Sequence, residues 1–127
     1  MVVLSHVLAH FPRDDALKVL QRGEKIASRL IYIETPFGFL EQVAHDGNTL
    51  QRHLSGWYPH DFYARGYSIF GSGHRLLRGP FGRPLFPEKL TRKIELSTQR
   101  ARFRRPYGSH SISAFRLVDE FGNVRSI

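Results

Sequence analysis

The sequence predicts an α+β fold: a mostly antiparallel sheet of five or more strands, in an arrangement compatible with a small barrel, with one short helix near the amino terminus packed on one face. Three observations carry that expectation. The stretch PRDDALKVLQRG is patterned and capped as a helix. Most other apolar runs are short, rich in β-branched and aromatic residues, and bounded by Gly, Pro, Asp or Asn. A chain of 127 residues, 41% hydrophobic and 13% aromatic, is long enough to bury one core and too apolar to stay unfolded. The expected organisation is a single domain over 1–127, with a flexible, basic Gly/Pro-rich loop region at about 65–87.

Val2 to Leu8 fits a buried strand or, with Leu4, Val7, Leu8 and Phe11 at helical spacing, a short helix. The first firm element is a helix from Asp14 to Arg22. Asp14 caps it, Asp15 and then Lys18 and Arg22 complement its dipole, Leu17 and Leu20 mark its apolar stripe, and Gly23 stops it. SRLIYIE, the turn TPFG and the returning FLEQVAH predict a hairpin over 28–45. A turn through Asp46 and Gly47 then leads to a third strand, TLQRHL.

Within 65–87, five glycines and three prolines break up regular structure, leaving YSIF and HRLL as short strands. Two patterns compete over 87–105. Leu90, Ile94, Ser97 and Ala101 stack at helical spacing ahead of Pro106, whereas a strand from Lys93 to Arg104 puts Arg100, Arg102 and Arg104 on one face. A helical turn near Glu88 leading into a strand is the expectation. At the carboxy end HSISAFRLVD, a turn at EFGN, and VRSI read as sheet, with Ile112, Ala114 and Arg116 on one face and Ser113, Phe115 and Leu117 on the other.

Charge narrows the function. The net charge is +8, and it is unevenly placed. Residues 1–64 hold six Lys or Arg against seven Asp or Glu, while 65–105 hold eleven against two, Glu88 and Glu95. Four arginines, Arg100, Arg102, Arg104 and Arg105, fall within six residues. A guanidinium donates two parallel hydrogen bonds and stays charged at cellular pH, so such a cluster suits phosphates. The reading is a noncatalytic nucleic-acid-binding module in which Arg92, Lys93, Arg100, Arg102, Arg104 and Arg105 hold the backbone and Arg75, Arg78 and Arg83 extend the track. In GWYPHDFYARGY most rings are expected in the core, with Tyr58 and Tyr63 exposed and able to stack bases. DNA and RNA, single and double strand, stay open at this point.

Two alternatives belong to other classes. The basic face can dock an acidic protein, an adaptor or inhibitor. A small metal-independent ribonuclease would use His74 and His110 as acid and base, Glu95 as base or orienter, and Arg102 or Arg104 against the phosphorane. FGSGHR can form an amide nest for a phosphate, although it lacks the lysine and spacing of a P-loop. No cofactor is implied. Without cysteine there is no disulfide framework, thiolate zinc site or cysteine nucleophile, and His6, His10, His60 and Asp61 follow no recognised metal spacing. MVVLSHVLAH does not read as a signal peptide and no run approaches the roughly 20 apolar residues of a membrane span, so a cytoplasmic, soluble protein is expected.

Overall fold

The structure, a computed structural model, describes residues 1–42, 47–78, 83–118 and 124–125, without the side chains of 102, 124 and 125. Strand β1 (Val2–Ser5) is followed by a short 3₁₀ turn, Leu8–His10, and helix α1 (Arg13–Ile26). Strand β2 (Leu30–Pro36), helix α2 (Pro59–Tyr63), strand β3 (Ser68–Ser72), helix α3 (Glu88–Arg104), strand β4 (Ser111–Val118) and the two-residue β5 (Val124–Arg125) complete the order. The sheet runs β1-β2-β4-β3, with β5 paired to β4.

This architecture corrects the expected one. The sheet is mixed and open, a path of four strands with one parallel pair, and it does not close into a barrel. The parallel pair, Val2 opposite Ile31 through Ser5 opposite Glu34, follows from the helix between the two strands: a chain that returns through a helical crossover comes back in the same direction. The hairpin expected over 28–45 does not form, because β2 has its neighbours elsewhere, β1 on one side and β4 on the other. After Pro36 the chain turns at Gly38 (φ +69°), whose amide donates to the Trp57 carbonyl at 2.6 Å. The second half of that hairpin falls partly outside the described residues, as does the turn at Asp46. TLQRHL is a 3₁₀ turn, Thr49–Gln51, capped by the Asn48 side chain, which accepts from the Leu50 amide. HRLL is a turn, and EFGN lies outside the described residues.

The two long helices also exceed their expected limits. Asp14 sits in the first turn of α1 rather than at the cap, which is Pro12, and the helix runs through Gly23. Gly23 faces the sheet: a Cβ there would lie 3.2 Å from Ile31 Cδ1 and 3.4 Å from Val2 Cγ1, so its bare backbone permits close helix–strand approach. Over 88–104 helix replaces the expected strand. Thr91, Ile94, Glu95 and Thr98 all turn to one side of α3, where Thr91 is fully buried and Thr98 Oγ1 donates back to the Ile94 carbonyl at 2.6 Å.

The two faces of the sheet have different covers. Ile31, Ile33, Ile69, Ile112 and Ala114 point to the core, against Ala16 and Leu20 of α1 and the buried rings of Trp57, Phe62 and Tyr67. The other face carries the cross-strand row Tyr32–Phe115–Ser68 and, one step along, Glu34–Ser113–Phe70. Helix α3 meets this second face, through Phe103 stacked on Phe70 with ring centroids 4.1 Å apart.

Arg65, Arg116 and Arg13 are fastened into the fold. Arg65 Nη1 donates to Glu24 Oε2 at 2.8 Å, and Arg116 Nη1 lies 3.5 Å from Glu24 Oε1, so one carboxylate on α1 gathers both. Tyr67 donates to the same carboxylate at 3.1 Å; burial, then the charge of Glu24, raises its pKa well above the ordinary tyrosine value. Arg13 donates to the Gly56 carbonyl and to Asp61 while its guanidinium lies 4.0 Å over the Trp57 ring, joining the start of α1 to α2. Among the described residues no helix is long and apolar enough to cross a membrane.

Candidate functional site

Helix α3 sorts its residues by the 3.6-residue period. With Thr91, Glu95 and Thr98 facing inward, Lys89, Lys93, Arg100 and Arg104 fall on the opposite side, and all four are exposed. The rise of 1.5 Å per residue puts Arg104 about 6 Å beyond Arg100 and Lys93 about 10 Å before it. None of these four cations is ion-paired with a described residue, so the face is a row of uncommitted charges. Lys89 belongs to this row although nothing in the charge cluster singles it out; its spacing of four from Lys93 is the signal.

The remaining basic residues divide. Arg92 is exposed on the flank of α3, and Arg105 is exposed just past its end. The side chain of Arg102 lies outside the described part, and the expected alignment of Arg100, Arg102 and Arg104 on one strand face is replaced by the helical row. Arg75 and Arg83 are exposed. Arg78 has a different role: Nε and Nη2 each donate to a Glu95 oxygen at 2.6 Å. Hydrogen bonding to Glu95 raises its pKa above the ordinary arginine value, so this guanidinium is already engaged by a carboxylate.

The aromatic cluster divides as well. Trp57, Phe62 and Tyr67 are core, while Tyr58 and Tyr63 are 38% and 47% exposed. Tyr58 is held in place: its amide donates to Asp61 at 2.8 Å, its ring lies edge-on to Phe37 (centroids 5.7 Å, 84°), and it stacks on His60. Phe37 also meets Tyr107 edge-on, with Arg75 5.1 Å above its ring. Tyr107, 56% exposed two residues past Arg105, thus links the end of α3 to Tyr58 by way of one buried ring.

Beside the basic row, α3 and the second face of the sheet enclose a groove of about 600 Å³. Its floor is Phe70 stacked on Phe115 (5.2 Å, 10°), with Tyr32 beside Phe115 across the strands, and Phe103 of the helix stacks on Phe70. Leu96 and Phe103, seven residues apart on α3, are 61% and 46% exposed along its helical wall. That apolar pair at a spacing of seven is the sequence signal on α3 for a groove that charge counting does not reveal. Glu95, on the same wall, carries a charge that Arg78 offsets.

The catalytic alternative is brought together only in part. The His74 amide donates to Glu95 Oε1 at 3.2 Å and its Nδ1 accepts from the Leu76 amide, so the FGSGHR turn delivers this amide to a carboxylate of the chain itself rather than to a phosphate. His110 instead lines a separate cleft of about 410 Å³ at the carboxyl ends of β1 and β2, with His6, His10 and His53. There the His10 and His53 rings lie 4.9 Å apart. His10 Nδ1 meets the Arg52 carbonyl at 3.1 Å and His53 Nδ1 the Leu40 carbonyl at 2.7 Å, and since a carbonyl only accepts, each Nδ1 is the donor. Burial lowers the pKa of His53, against the opposing pull of the Leu40 carbonyl. Among the described residues no group of three or more His, Cys, Asp or Glu is placed to hold a metal ion.

Neither a protein-family model, nor a curated protein, nor a solved structure matches the chain.

Proposed function

We propose that the chain binds nucleic acid, without acting on it chemically, through the outer face of α3. The observation that carries the reading is the row Lys89, Lys93, Arg100 and Arg104: four exposed cations on one side of one helix, uncommitted to any described acid. Cations at fixed spacing on a rigid element neutralise several phosphates at once and release their counterions. Arg75 and Arg105 extend the charge toward the exposed rings of Tyr107 and Tyr58. Fluorescence anisotropy with labelled single-stranded DNA, duplex DNA and RNA at two salt concentrations tests it. Binding that weakens with salt, and that Arg100→Glu with Arg104→Glu removes while the melting temperature stays in place, is the expected result. Absence of binding at low salt, or binding indifferent to that double reversal, rejects it and leaves an acidic protein as the partner to seek.

A second reading rests on the His10–His53 pair. The two imidazoles lie 4.9 Å apart in the cleft outside the carboxyl ends of β1 and β2, each held by a backbone carbonyl at Nδ1, an arrangement suited to binding or deprotonating a small polar molecule. A thermal-shift screen of small polar compounds, in which His53→Gln abolishes the shift, supports it; hits indifferent to His53 and His10 count against it.

A further inference from the structure

We infer that the nucleic acid is bound as a single strand, its bases entering the groove between α3 and the sheet while its phosphates lie on the basic row; this rests on the nucleic-acid reading above. The two surfaces are neighbouring flanks of the same helix. Lys93, Arg100 and Arg104 point away from the sheet, and Arg92, Leu96, Gln99 and Phe103 turn from that row into the groove. A single strand presents phosphates along one side and unpaired base faces along the other. A duplex hides those faces in its own stack, so it has no use for a hydrophobic slot beside the cations.

The lining suits planar rings. Phe103, Phe70 and Phe115 already form a stack whose members lie 10° and 30° from parallel, and a base adds to such a stack with any sequence because every base has a π-face. Polar groups at the edge, Gln99 and the Tyr32 and Ser113 hydroxyls, can meet base edges; Tyr32 donates to Ser113 Oγ at 3.2 Å. At about 600 Å³ the groove falls within the range of roughly 300–1,000 Å³ typical of small-ligand pockets. The charge around it favours an anion: Arg92 is on its rim, Arg100 and Arg104 are adjacent, and its one acidic wall residue, Glu95, is engaged by Arg78.

The test uses the full chain with Phe103→Trp, which puts an indole at the mouth of the groove. The native Trp57 is fully buried and serves as an internal control. Oligo-dT is expected to quench the new indole, whereas a duplex of equal length leaves it bright. Separately, Phe103→Ala and Phe103→Leu are each expected to weaken oligo-dT binding about five- to 100-fold, the span of one lost stacking contact, while duplex binding stays within about twofold. Circular dichroism confirms that each variant is folded, and the leucine variant keeps the apolar packing on Phe70.

Equal affinity for single strand and duplex with an unquenched indole would overturn the inference and leave the basic-surface reading standing. Polyglutamate binding as tightly as oligo-dT, with the same loss in Phe103→Leu, would overturn it in favour of an acidic peptide. Failure of every nucleic acid to bind at low salt takes both readings away together.

Discussion

Arg78 and Glu95 meet through two parallel hydrogen bonds of 2.6 Å, joining the segment after β3 to the middle of α3. Because Glu95 also accepts the His74 amide, one carboxylate fixes the start and the middle of that segment against the helix. The pair is partly exposed, so its expected coupling in a double-mutant cycle with Arg78→Ala and Glu95→Ala is about 1–2 kcal/mol, measured by urea denaturation. Additive effects of the two substitutions would mean that the fork contributes nothing of its own.

The arginines are expected to separate into two classes. Glu24→Gln leaves Arg65 and Arg116 facing an uncharged amide and should cost about 3 kcal/mol of stability. Arg100→Ala and Arg104→Ala, on the exposed row, should change stability by no more than about 0.5 kcal/mol. Thermal and urea melts of the three variants check the contrast, and equal losses would show that the row is structural.

The same row sets the salt dependence. Each contact that Lys93→Ala, Arg100→Ala or Arg104→Ala removes should reduce the logarithmic salt slope for single-stranded DNA by about 0.7. Arg65→Ala, whose guanidinium is held by Glu24, should leave the slope unchanged. Anisotropy titrations from low to moderate salt read both.

Acid should weaken the cleft that holds His53. Its folded pKa lies below the ordinary value of 6.5, so as pH falls the unfolded chain takes up the proton first. Stability is therefore untouched at neutral pH, declines as pH drops through about 6.5 toward the folded pKa, and levels off below it. His53→Gln, which can still donate to the Leu40 carbonyl, should lose less melting temperature between pH 7.5 and 5.5 than the native chain. An identical drop in both would exclude His53 as the source.

Two glycines should respond in opposite ways. A Cβ at Gly56 would lie 2.5 Å from the Phe39 backbone nitrogen, which cannot give way as a side chain would, so Gly56→Ala should cost at least about 2 kcal/mol. At Gly108 nothing lies within 4 Å of an added Cβ, and Gly108→Ala should be neutral or stabilising by up to about 1 kcal/mol. Melting temperatures decide both.

What is legible in the sequence is what local pattern determines. Helix α1 announces itself by its acidic first turn and its Leu17–Leu20 spacing, although Ala16 and Leu20 are the residues it buries, and β4 by its alternation. The parallel β1–β2 pair is not legible, because nothing in VVLS or LIYIETP states which strand lies beside which; their register is set by α1 packing across both, at Gly23. Over 93–104 the residues satisfy period 2 and period 3.6 together, and the choice is made by tertiary partners: helix turns Glu95 to Arg78 and His74 on the side where Thr91 is buried, and sets Phe103 on Phe70. The basic cluster is legible as charge, but its division into an uncommitted row and engaged arginines is not, since Glu24 stands 41 and 92 residues from the partners it holds. The aromatic groove escapes composition for the same reason: Phe70, Phe103 and Phe115 meet only after three elements have assembled.

The position of β4 between β2 and β3 has a consequence for the growing chain. On the ribosome β3 emerges with no strand to pair with, and β2 with only the short β1, until Ser111–Val118 has left the exit tunnel. The sheet therefore cannot be completed stepwise from its amino end. Its central strand inserts late, between two edges made before it, and the apolar residues on those edges depend on that late arrival for their protection.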